Sequence, residues 1–378
     1  MARTTTPHPS VSLAMLALLL AMSSCTSATM SSTSAAAPAE TADGGTTTPA
    51  TTTAPPATTS TTAAPTTTAT TTTTTTEPPG YWDDLDRVNF LLLGSDAGVG
   101  RIGTRTDTII LVSVDPASGD TAMFSVPRNL TEAPLPDDMG VWSCDCFPDI
   151  ITHLWANGEW YPDAFPGDQA PSVNALKAAM GLTFGVEIHH YAKVELAGFA
   201  EVIDALGGVT IDVPKRIVDD QYPHETGGTV RVVIEAGEQH LDGHHALAYS
   251  RIRRGSGDFA RMHRQRCVIA SVMANTDASD VLAAGSELAG AFMDHIETDI
   301  PLEALADLMS LISKVDTDRL GSLRITSHKY GASGHAGYQI YDLDQIRADA
   351  AALMADPTTQ LPAMDAPTLA ESCQLSFD

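Results

Sequence analysis

The sequence predicts an α/β fold, a central mixed β-sheet flanked by helices on both faces. Three observations predict it. Residues 88–94 (Val-Asn-Phe-Leu-Leu-Leu-Gly) and 108–114 (Thr-Ile-Ile-Leu-Val-Ser-Val) are continuous apolar runs, the pattern of strands covered on both sides. From residue 172 onward, helical and strand-like segments alternate. Residues 80–378 are long enough for one large domain with a well-buried core.

Residues 121–126 read as the third strand, paired with the second through the turn Asp115-Pro116-Ala117-Ser118-Gly119, where proline and glycine punctuate the chain. Residues 172–180 read as a helix that closes at Gly181. Residues 191–194 follow as a strand, 197–206 as a helix, and 209–213 as a strand ended by Pro214. Helices are expected over 242–248 and 259–274, then near 281–292 and 302–313. A late strand at 337–341 and a helix at 343–354 complete the pattern, and no internal repeat is visible.

The chain upstream of residue 80 has a different composition. Residues 11–22 are almost wholly apolar, preceded by Arg3 and followed by Ser23-Ser24-Cys25. The run is too short to span a bilayer as a helix and has the size of a signal-peptide core. The small residues before Cys25 resemble a bacterial lipoprotein cleavage site. Residues 1–25 are therefore expected to be a signal peptide whose cysteine becomes the lipidated first residue, an ordinary secretion signal being the alternative. Residues 26–79 are mostly threonine, alanine and proline, too poor in large apolar groups to offset their ordering entropy, so they read as a tether. The expected location is the outer face of the cytoplasmic membrane, with a lipid anchor at the membrane surface.

Four cysteines fall in the folded part, Cys144, Cys146, Cys267 and Cys373. In an exported protein they suggest disulfides. Cys144 and Cys146 are so close that a distant partner for each is the expectation. A metal reading of Cys-Asp-Cys finds no second ligand cluster of matching spacing.

The stretch from Arg251 to Gln265 holds Arg251, Arg253, Arg254, Arg261 and Arg264, in a chain whose formal net charge is −26. Guanidinium forks bind phosphate oxygens bidentately and stay charged, so the cluster points to a phosphate or diphosphate, a solvated basic helix face being the plainer reading. Asp96 follows the first strand and Asp107 precedes the second; if those strands pair, both carboxylates share one rim. Between them lie Gly98, Gly100, Arg101, Gly103 and Arg105. Paired carboxylates beside arginine suit a hard cation such as magnesium, held partly by substrate phosphate. The plainer reading makes Asp96 a turn cap and pairs Asp107 with Arg105. Arg128 and Asn129 follow the third strand, and ligands of open sheets sit at strand ends.

These residues resemble the LytR-CpsA-Psr proteins of bacterial envelopes. The resemblance rests on Phe90-Leu-Leu-Leu-Gly-Ser-Asp96, Arg105-Thr-Asp-Thr108, Val126-Pro-Arg128, Ile203-Asp-Ala-Leu-Gly-Gly208, Leu241-Asp-Gly243, Ala246-Leu-Ala-Tyr-Ser-Arg-Ile-Arg253, Gly257-Asp258 and Arg261 through Gln265. Several ordered motifs together are far more specific than one. The resemblance implies an extracytoplasmic phosphotransferase that takes a glycopolymer from a polyprenyl diphosphate carrier and attaches it to N-acetylmuramic acid of peptidoglycan. It further implies that Asp96 and Asp107 hold Mg2+, that Arg105, Arg128, Arg251 and Arg253 grip the diphosphate, and that Arg261, Arg264, Gln265 and Asn129 complete the pocket. One departure stands out: the family commonly carries aspartate where this chain has Asn129, and an amide cannot serve as a base. That substitution keeps alive a non-catalytic binder of polyprenyl phosphates or wall glycans, or a pyrophosphatase.

Other candidates are weaker. His240, His244 and His245 surround a helix start without a fixed further ligand. His189 and His190 lead into a strand and are expected to be partly solvated. His153, Trp155, Asn157 and Trp160 suit either a sugar contact or core packing. A nucleic-acid partner is disfavoured by the acidic balance, and no serine-hydrolase elbow or Walker loop is present.

Overall fold

The structure is a computed structural model that describes residues 80–96, 104–224, 227–275, 295–316, 318–332, 340–362, 368, 369 and 373. The expected signal peptide, Cys25 and tether, the loop 97–103 and the helix 281–292 lie outside the described residues.

The first three strands are β1 (Val88–Ser95), β2 (Thr106–Val114) and β3 (Thr121–Val126), with short strands β4 (Ala133–Pro134) and β5 (Cys146–Phe147) after them. Helices α1 (Leu154–Trp160) and α2 (Pro171–Phe184) precede β6 (His190–Glu195) and α3 (Leu196–Ala205). Then come β7 (Val209–Val213), β8 (Ile217–Pro223), β9 (Thr229–Ile234), β10 (Gly237–Leu241), α4 (Gly243–Arg251) and α5 (Gly257–Asn275). The chain closes with β11 (Ile296–Thr298), α6 (Leu305–Ser313), β12 (Gly321–Arg324), α7 (Ser327–Tyr330), β13 (Gly331–Ala332), β14 (Ile340–Tyr341) and α8 (Leu343–Ala355).

The central sheet has six strands in the order β11-β6-β1-β2-β3-β12. It is mixed: β1 runs antiparallel to β2 and parallel to β6, while β12 joins β3 in parallel. Strand periodicity sends alternate side chains to opposite faces. Leu91, Leu93, Ile109, Leu111 and Phe124 pack with α1, α2 and α8 on one face. Phe90, Leu92, Ile110, Val112 and Met123 pack with α5 and α6 on the other. Covering both faces is what makes these strands apolar throughout. A third cluster joins α3, α4 and the far side of α5 to β7–β10.

Several expectations need correction. The strand at 209–213 is present but pairs only with β10, outside the central sheet. Helix α2 passes through Gly181 and ends at Gly185, which adopts the left-handed conformation with φ 70°. Gly181 is needed instead for close approach, since a Cβ there would sit 2.9 Å from the Val186 carbonyl oxygen. The hairpin β8–β9 and the edge strands β11 and β12 were not anticipated. Cys144 and Cys146 are bonded to each other across a Cα separation of 5.1 Å, because a bend brings them together. Cys267 and Cys373 form the second bridge, 106 residues apart in sequence. His190 is buried rather than solvated: the Trp82 indole N–H donates to its Nε2 at 3.1 Å.

Candidate functional site

A cleft opens where β1 ends and β2 begins, roofed by α4 and α5. Asp96, Asp107, Ser250, Arg251, Arg261 and Gln265 line it. Further along the same strands its lining turns apolar, with Leu92 and Ile110 facing each other in register and Ala192, Val194, Phe199, Leu247 and Ile269 around them. One cavity thus joins a polar strand end to an apolar interior, the division of labour expected of a ligand site.

The local backbone explains why the two carboxylates meet. Gly94 pairs with Thr108 and Ser95 with Thr106, so a bulge leaves Asp107 without a partner on β1. Bulges re-aim side chains in this way. Gly94 is required there, because a Cβ would come within 2.9 Å of the Thr108 side chain. Thr108 is in turn fixed by Gln265, whose Nε2 donates to its hydroxyl at 2.8 Å. At the strand end, the Asp96 N–H donates to the Arg105 carbonyl at 2.9 Å and the Arg105 N–H returns a bond to Asp96 Oδ1 at 3.0 Å.

Asp107 belongs to an alternating chain of charges. Arg128 donates to its Oδ1 at 2.9 Å, and the Thr152 hydroxyl adds a bond at 3.2 Å. Burial pushes the Asp107 carboxyl up, but Arg128, Arg261 and Thr152 together outweigh burial and hold it below the usual carboxylate range. Arg128 also reaches Asp258, at 3.3 Å, and Asp258 pairs with Arg261 at 3.2 Å. Arg261, 3% exposed, closes the loop by donating to the Asp107 carbonyl at 3.0 Å. Burial penalises the Arg128 charge, yet Asp107 and Asp258 raise it further above its ordinary value. Arg251 is braced separately, donating to the Tyr222 hydroxyl at 3.0 Å while its guanidinium lies over the Tyr222 ring.

The structure brings Asp96, Asp107, Arg251, Arg261 and Gln265 into the cleft, with Arg128 bonded to Asp107 behind it. Arg105 and Asn129 are exposed and do not line it. Arg253 is half exposed and comes no nearer than 3.9 Å to Asp258. Arg264 lies elsewhere: it is buried and donates to the carbonyls of Tyr249 and Ile252 and to the Ser256 hydroxyl. Its job is to hold the end of α4 against α5. Asp258 is part of the motif Gly257-Asp258 but has no role assigned from the sequence, although it stands three residues before Arg261 at the start of a helix, one turn away from it.

The residues fit a magnesium ion. Asp96 and Asp107 both line one cavity, and this cation takes one or two carboxylates with the remainder from phosphate and water. Zinc has no such set: among the described residues no three of His, Cys, Asp and Glu converge for a metal. His240 bonds the Gly207 carbonyl and Thr210, and His245 bonds Asp242. Trp155 is buried and donates to Glu159, whereas Trp160 is exposed. No helix among the described residues is long and apolar enough to cross a membrane.

Comparison with known proteins gives a consistent result. The chain is 32% identical over 231 residues to the polyisoprenyl-teichoic acid–peptidoglycan teichoic acid transferase TagU of Oceanobacillus iheyensis, covering 61% of this chain and 64% of that protein. It thus spans less than two thirds of that relative's length. The crystal structure of Bacillus subtilis TagV is similar over 72% of this chain and 98% of that one, with a TM-score of 0.51 and 24% identity. Protein gbs0355 from Streptococcus agalactiae gives 0.55 at 18% identity, over 76% and 93% of the two chains. At such identities the solved structures establish the α/β fold. A sequence model of the LytR_cpsA_psr family matches residues 51–353, the span that holds β1, the bulge at Asp107 and both arginine-bearing helices, and the chain belongs to that family.

Proposed function

We propose that the chain is an extracytoplasmic phosphotransferase, moving a glycopolymer from a polyprenyl diphosphate carrier to N-acetylmuramic acid of peptidoglycan. The observation that carries this reading is the two-part cleft. Its polar end matches a diphosphate and its apolar interior matches a prenyl chain, and few other ligands need both in one cavity. A relative of the chain is named as a transferase of polyisoprenyl-teichoic acid to peptidoglycan, which supports a prenyl-linked donor.

In this reading Arg251, Arg261 and Gln265 hold the diphosphate oxygens, with Arg128 steadying Asp107 from behind. Arg105 and Arg253, exposed nearby, remain free to reach outer oxygens. Asp96 and Asp107 would hold Mg2+, which when bound neutralises charge on the phosphoryl oxygens. The acceptor hydroxyl forms a new bond to the glycan-bearing phosphorus. The bridging P–O bond breaks, and polyprenyl monophosphate is the leaving group, its phosphate at the polar end and its prenyl tail in the apolar interior. Most of the rate comes from positioning and charge neutralisation. In this reading the acceptor proton goes to Glu195, the carboxylate in the cleft lining that is not committed to Mg2+, since Asn129 is neutral and outside the cleft.

The test is transfer from a soluble prenyl diphosphate-linked glycan to a peptidoglycan fragment by purified protein. Arg251→Ala is expected to cost about a hundredfold in rate, and Asp96→Ala to abolish transfer while leaving the protein folded. Binding of the donor with no release of prenyl monophosphate would favour the non-catalytic binder.

A further inference from the structure

We infer that a second anion-binding groove lies beside the cleft, across α5, and takes the anionic chain of the glycan donor, a polymer strung with phosphodiester or carboxylate charges. The inference deepens the proposed function and rests on it for its activity arm alone.

The groove is lined by Lys215, Arg216, Arg254, His263 and Arg264, with no aspartate or glutamate among its lining residues. In a chain of net charge −26 that is a pronounced local reversal of sign, and such clefts concentrate anions. Two of the cations have neighbouring carboxylates, Arg216 with Glu235 at 2.9 Å and Arg254 with Asp219 at 3.2 Å. The other two do not. Lys215 is exposed, without a carboxylate partner among the described residues. Arg264 spends its donors on carbonyls and a hydroxyl, so no counter-ion offsets its charge.

One chain segment links the cleft to the groove. Arg251, the last residue of α4, lines the cleft, and Arg254 lines the groove. Three residues span about 10 Å at full stretch. Arg253 between them is 51% exposed. The segment turns on itself there, with the N–H groups of Ser256 and Gly257 both donating to the Arg253 carbonyl, at 3.1 and 3.2 Å. Gly255 and Gly257 supply the positive φ angles the turn demands. On α5, Arg261 and Gln265 face the cleft while Ala260, His263 and Arg264 face the groove. In this proposal the polymer leaves the cleft past this turn and runs on over the basic surface.

The test measures binding of fluorescent glycerol-phosphate and galacturonate oligomers of equal length to the full chain, beside a neutral oligosaccharide. Wild type is expected to bind both anionic probes, with affinity falling as salt rises. The triple variant Lys215→Ala/Arg216→Ala/Arg254→Ala should bind them about tenfold more weakly. Arg231→Ala removes an equally exposed charge outside the groove and should bind like wild type. Turnover of a prenyl diphosphate bearing one neutral sugar should be unchanged in the triple variant. Preference for glycerol phosphate identifies a phosphodiester polymer, and preference for galacturonate a carboxylate one. Wild-type binding by the triple variant, equal loss in Arg231→Ala, or equal binding of the neutral probe overturns the proposal. If no transfer is detected but the triple variant still loses oligoanion binding, the groove stands and the phosphotransferase reading fails.

Discussion

At the scale of single residues, Asp258 is the side chain on which the site's geometry turns. It does not line the cleft, yet it pairs with both Arg128 and Arg261, which fix Asp107 from two sides. Outer partners of this kind typically carry ten- to a hundredfold in activity. Asp258→Asn is expected to lower kcat of the transfer assay by about tenfold with little change in Tm, and Asp258→Glu to restore part of it; a variant with full kcat would show the hub to be dispensable. How much of the site was legible varied residue by residue. Asp96 and Asp107 were readable because pairing of β1 with β2 puts them on one rim, although the bulge that sets Asp107 apart was not. Arg261 and Gln265 were readable because a four-residue spacing keeps them on one helix face. Arg264 defeated the same logic, since it lies between those two positions and turns to the carbonyls at the end of α4. Arg128 needed a partner that spacing did not indicate, Asp258, 130 positions later in the sequence.

At the scale of elements, β6 and β11 carry a second polar network on the sheet edge away from the bulge. Asp299 bonds Lys177, the Tyr191 N–H at 2.8 Å and Gln169 at 2.7 Å, with His190 at 3.6 Å. Burial pushes its carboxyl up, but His190, Lys177 and the Tyr191 N–H prevail and hold it well below the carboxylate range. A depressed carboxyl contributes stability above its unfolded value, near 4, and loses it as pH falls toward the folded value. Asp299→Asn is thus expected to destabilise the protein by about 3 kcal/mol at neutral pH, with the gap to wild type narrowing in acid; parallel Tm curves from pH 7 to 3 would count against it. The three leading strands were legible because apolar runs flanked by turns have few other uses. Strands β11 and β12 were not, being three and four residues long and recruited to the sheet by partners far away in sequence. The hairpin β8–β9 carries mostly exposed and half-exposed residues, and the polar β8 conceals the pairing although β9 holds Val230, Val232, Val233 and Ile234.

At the scale of the whole molecule, the Cys267–Cys373 bridge ties the middle of α5 to the far end of the chain. Closing a loop of 106 residues restricts the unfolded chain by about 4.7 kcal/mol in the loop-entropy account. Cys373→Ser is expected to lower Tm by several degrees and to leave oligoanion binding at low temperature intact. An unchanged Tm would mean that packing around α5 suffices alone. Trp82 has a different reach. Its indole is wedged, 3% exposed, against Phe90 and His190, and the neighbouring Tyr81 N–H is clasped by Asp307 at 3.0 Å. His190 opens the same strand whose Ala192 and Val194 form part of the cleft wall. A tug on the chain ahead of residue 80 would therefore be borne by the sheet itself, and mechanical load would reach the cleft wall along a single strand.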